Sequence, residues 1–140
     1  MLPLLATLSP NAAVLIFTVG IALIAVELNR PGSILPGTAG LLLTLLAAAS
    51  LWPRHPNAEA VLEIILSMAV LLLQARRTLL WLLPASATIL LVFSTARLLP
   101  PTTDPGIGLW IATLCGLFLG VGTTVLTRIA RRARQNKGLD

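Results

Sequence analysis

The chain has 140 residues, of which 56% are hydrophobic and only 11% charged, with a mean hydropathy of +0.93. A soluble domain carries about 25% charged residues to hold its surface in water, so a soluble enzyme, a disulfide scaffold and a disordered tail are all excluded. The net charge of +5 does not signal nucleic acid either, because the basic residues edge apolar runs instead of forming a water-facing patch with aromatics.

A membrane span needs about 20 mostly apolar residues to cross about 30 Å of hydrocarbon. Five are predicted, giving an all-α, polytopic membrane domain over residues 1–130 and a basic tail over 131–140. The first runs over 11–28, behind Ser9 and Pro10, which suit a helix start. Met1 to Ser9 holds no Lys or Arg, so it lacks the positive region of a signal peptide, and the first span is read as retained. The second covers 34–52 and stops at Pro53. The third, 58–74, follows Asn57 as N-cap. The fourth, 78–99, stops at Pro100-Pro101, and the fifth, 105–129, starts behind Asp104-Pro105.

Orientation follows from the basic residues. The dense cluster of Arg128, Arg131, Arg132, Arg134 and Lys137 is assigned to the cytoplasm. Arg30, Arg76 and Arg77 then also fall inside, leaving Arg54 and Arg97 outside. The N-terminus is therefore predicted outside and the C-terminus inside, in a bacterial-type cytoplasmic membrane. Trp52, Trp81 and Trp110 fall near span ends, where amphipathic rings favour the interface. A shift of 48 residues aligns Leu35-Pro36 with Leu83-Pro84 and Pro53 with Pro101, a degenerate repeat of two similarly oriented hairpins. Two similar hairpins without common origin remain the alternative.

Residues able to carry chemistry are few. Glu27 ends the first span, with Arg30 one helical turn on, and an ion pair anchoring the turn is the leading reading. An ion or proton site is the rival, but further acids or histidines at depth are lacking. Glu63 and Arg97 fall at similar depth in an antiparallel hairpin and are predicted to pair; snorkelling separately to water is the alternative. The single histidine, His55, has no ligand-spaced neighbour, and no metal site is predicted. Cys115 reads as a small apolar filler.

Pro31, Gly32, Pro36, Gly37 and Gly40 predict a shaped turn that packs back on a neighbouring helix. Gly116 and Gly120 form a Gly-x-x-x-Gly, with Gly122 beside it, a small-residue face for close helix contact. That face serves a dimer, a partner's helix or the chain's own spans. The basic tail suits anionic lipid head groups. Without a nucleophile and base or a nucleotide loop, no enzyme is predicted.

Pro10-Asn11, an apolar span and then Glu27-Leu28-Asn29-Arg30-Pro31-Gly32-Ser33-Ile34-Leu35-Pro36-Gly37-Thr38-Ala39-Gly40 resemble the membrane region of the NfeD family. Asp104-Pro105-Gly106-Ile107-Gly108-Leu109-Trp110 and the basic exit from Arg128 to Arg134 look like it too. Gln74-Ala75-Arg76-Arg77 and Pro84-Ala85-Ser86 depart from it, lacking the second acidic-plus-glycine turn. The OB-like soluble barrel that commonly follows the basic exit has no counterpart within the 140 residues, so the chain reads as a short form. The resemblance implies partnership with stomatin-like (SPFH) membrane proteins; in some members it comes with a fused serine protease domain. The expectation is a small scaffold or accessory subunit, contacting such a protein or a larger membrane complex through its helices. A homo-oligomer also stays open. No cofactor is called for, although lipid, or pigment in an energy-transducing complex, would fit its grooves. The rival function is a small transporter or channel using Glu27.

Overall fold

A computed structural model describes residues 8–29, 35–73, 82–100 and 106–136. Among these residues the fold is wholly helical: α1 (Pro10–Asn29), α2 (Leu35–Leu51), α3 (Ala58–Leu73), α4 (Leu82–Ala96) and α5 (Leu109–Gln135). A short 3-10 turn, Trp52–Arg54, extends α2. Local chemistry sets the boundaries. Ser9 opens α1, its hydroxyl accepting the Ala12 N–H at 3.3 Å, and Pro10 takes the first helical position, where a missing donor costs nothing. Asn57 caps α3 by accepting the Glu59 N–H at 3.0 Å. The 3-10 turn ends where His55 turns left-handed, φ 50°, and donates its N–H to Trp52.

Among the described residues, three helices are long and apolar enough to cross a membrane: Pro10–Asn29, Leu35–Arg54 and Leu109–Ala133. As described, α3 and α4 have 16 and 15 residues, about 24 and 22 Å at 1.5 Å per residue. Each stops where the described residues stop, at Leu73 and at Leu82, so the five predicted spans correspond to five helices, three of them at full spanning length as described. Residues 74–81, between α3 and α4, lie outside the described residues.

Two boundaries also move. The fourth helix ends at Ala96, not Leu99, because Leu98 turns to donate to the Thr95 carbonyl and the residue before a proline avoids helical backbone. The fifth begins at Leu109 and continues to Gln135, so the segment expected as a tail is helical through residue 135. Its Ala and Arg content favours helix wherever the chain runs.

The helices form an open series in the order α2, α1, α5, α4, α3, each packed on its neighbours in that series. Thus α5 joins two hairpins, α1–α2 and α3–α4, while α2 and α3 stand at the two edges. The shared core lies towards one end, where Val14, Leu51, Ile64, Leu91, Cys115 and Leu119 are buried. Polar bonds fasten that same end. Arg54 donates to the Ser50 carbonyl at 2.6 Å and to the Leu8 carbonyl at 2.8 Å. Asn57 N–H donates to Leu98 at 2.8 Å, and the Asn11 side chain accepts the Gly108 N–H at 2.9 Å.

Candidate functional site

The segment expected as a shaped turn is helical from Leu35 onward, which corrects that reading for Pro36, Gly37 and Gly40. Pro36 is tolerated because first-turn N–H groups have no partner within the helix. Pro31 and Gly32, like Arg30, lie outside the described residues. The Glu27 carboxylate accepts the backbone N–H of Gly37. Glu27 therefore caps α2 from the end of α1, placing a negative charge where the helix dipole is positive. A Cβ at residue 37 would occupy the position of the carboxylate, so this contact requires glycine.

Glycines also set the two main helix crossings. A Cβ on Gly20 would meet the Gly40 carbonyl at 2.7 Å, and one on Gly40 would meet the Gly20 carbonyl at 2.5 Å. There α1 and α2 touch backbone to backbone. On α5, Gly116 faces Val92, whose Cγ2 would stand 2.5 Å from an added Cβ, and Gly120 faces Thr88. The Gly-x-x-x-Gly face is thus filled by the chain's own α4, and of its possible occupants the intrachain one is present. Gly122 has nothing within 4 Å of an added Cβ and lies off that face. The 48-residue shift places Gly40 over Thr88 and Thr44 over Val92, so corresponding faces of α2 and α4 each pack on glycine.

Arg97 Nη2 lies 2.9 Å from both Glu63 carboxylate oxygens. Ser94, one turn before Arg97, donates its hydroxyl to the same carboxylate at 2.7 Å. The pair lies between the first turns of α3 and the residue after α4, at the end away from the α3–α4 connection, with Arg97 more than half exposed. Sequence reasoning missed Ser94, Gly20 and the Glu27–Gly37 contact. The available signal was a lone glycine or serine in an apolar helix, one turn from a charge or facing a second glycine.

At the opposite end of α5, Arg128 and Arg132 are exposed and Arg131 is half-buried. Lys137 is outside the described residues. The hydroxyls at mid-helix close on their own backbones: Thr18 on Val14, Thr44 on Gly40, Ser67 on Glu63 and Thr88 on Pro84, at 2.7 to 2.8 Å. Such bonds spend the hydroxyl within its helix instead of offering it to a passing ion. Among the described residues no three His, Cys, Asp or Glu side chains converge as metal ligands. The arrangement offers shaped apolar faces and two charged ends.

No curated protein and no solved structure matches the chain. The family model for the NfeD integral membrane domain matches residues 11–129, from the first turn of α1 to Ile129 in α5.

Proposed function

The chain belongs to the NfeD integral membrane domain family, and from that premise we propose that it is a small scaffold or accessory subunit packing against another membrane protein. The family is not one of known enzymes. The observation that carries the reading is the outer edge of α2. Among the described residues this helix packs chiefly on α1, and Leu41, Leu42, Leu45 and Leu46 are all exposed along it. Helix association in lipid runs on close van der Waals contact, and an edge helix with one main neighbour has surface left for it. The partner is a stomatin-like protein or a larger membrane complex. The N-terminus lies outside and the arginine-rich end in the cytoplasm of a bacterial inner membrane, where that end also holds anionic lipid.

Purification in mild detergent followed by mass spectrometry tests this. A stoichiometric membrane partner is expected, lost when Leu42, Leu45 and Leu46 are replaced together by alanine. A monodisperse monomer with no partner overturns the reading, and a dimer of this chain moves it to self-association. The transporter reading is disfavoured because the Glu27 carboxylate is committed to the Gly37 N–H. Flux through liposomes that disappears in Glu27→Gln would restore it.

A further inference from the structure

Between the two edge helices the fold leaves an apolar cavity of about 240 Å³. Its floor is buried and comes from every other layer of the bundle, through Val14, Leu91, Cys115 and Leu119. Its walls come from α2 and α3, which pack little on each other. Trp52 and Ile65 line it yet are 77% and 59% exposed, so the mouth lies between these two helices and faces the surrounding apolar phase. An unfilled void would forfeit the dispersion contacts of its whole lining. Water is not the filler, because the lining offers almost no polar partner and apolar cavities stay dry. A cavity of about 150 Å³ already accepts a benzene ring, and this one is larger and open at one side.

The rim supplies the second requirement. Trp52 and Pro56 line the cavity at the loop end, and between them in sequence stands Arg54. Its guanidinium spends two of five N–H groups on the Ser50 and Leu8 carbonyls, which pins it at the edge of the bundle with donors left over. The carboxylate of Glu63 at the same end is already held by Arg97. An apolar slot with a fixed arginine two residues from each of the lining residues Trp52 and Pro56 matches an amphiphile with a hydrocarbon tail and an anionic head.

We propose that this cavity holds an acyl chain of a phospholipid from the leaflet on the Trp52–Asn57 side, with Arg54 meeting its phosphate. The site is independent of the α2 leucine edge and stands or falls without the partner. The lipid wedges α2 from α3 and completes the core that the open helix series leaves unfilled.

The test uses the full chain in vesicles of phosphatidylethanolamine and phosphatidylglycerol, with a trace of phospholipid bearing a diazirine on one acyl chain. On irradiation, crosslinks are expected on the floor residues Val14, Leu91 or Cys115. Ala48→Trp, at an exposed lining position that admits a large side chain, should lower floor crosslinking about tenfold while exposed Leu42 stays labelled. Arg54→Gln should shorten lipid retention through detergent exchange. A wild-type floor without label, floor labelling unchanged by Ala48→Trp, or a side chain of another protein crosslinked in place of lipid overturns the proposal. Because the first readout is made on the unaltered chain, a misfolded variant does not remove the test.

Discussion

The two helix crossings use glycine in different ways. At the α1–α2 crossing, Gly20 and Gly40 bring backbone against backbone, with each carbonyl occupying the place of the other's absent Cβ. At the α4–α5 crossing, Gly120 is a hollow that receives the branched Thr88 side chain, while Gly116 meets Val92 through both its Cγ2 and its Cα. A side chain can be shortened and a main chain cannot. The first crossing is therefore intolerant of any added atom, whereas the second can be repaired from the opposite helix at Gly120.

This contrast is open to direct attack by measuring unfolding in mixed detergent with circular dichroism. The largest effect is expected for Gly40→Ala, whose new methyl meets a carbonyl that cannot withdraw. A loss of about 3 kcal/mol, the upper end for overpacking, is expected, and no single change on α1 should restore it. Gly120→Ala should cost about 1–2 kcal/mol, and adding Thr88→Ala should recover part of that. A double-mutant cycle with no coupling between residues 88 and 120 would contradict the side-chain-in-hollow arrangement. Next, Glu27→Ala and Gly37→Ala should each cost about 1 kcal/mol, the value of one helix-end contact. Their double variant should cost little more than either, since both remove the same bond. The smallest effect is Gly122→Ala, which meets open space and gains helix propensity; stabilisation of up to about 1 kcal/mol is expected. Two glycines two positions apart on one helix, Gly120 and Gly122, would thus respond with opposite signs.

Much of the helical layout was legible because its causes are local. Apolar runs, the Ser9-Pro10 start and Asn57 as cap depend on residues within one or two turns, so α1, α2 and α3 begin within one residue of their expected starts. What was not legible depended on partners distant in sequence. A Gly-x-x-x-Gly states that a helix will be approached closely, not which helix does so, and α4 proved to be the occupant. Glu27 was matched to Arg30 because that residue is one turn away, yet its carboxylate reaches an N–H ten positions on, exposed only when α2 starts there. The glycines at 37 and 40 resembled a turn because isolated glycine signals conformational freedom. Here it serves proximity inside a helix, a demand visible only once two helices are placed together. Glu63 and Arg97 were easier, since antiparallel neighbours put equal depths side by side.

The position of α5 in the series bears on biogenesis. Both hairpins are made before it, yet it alone packs substantially on each, through α1 and through α4. Until the ribosome has delivered residues 109–135, the earlier hairpins have no common clasp and must wait in the bilayer as separate pieces. A helix made after both hairpins is the one that turns two insertions into one packed unit.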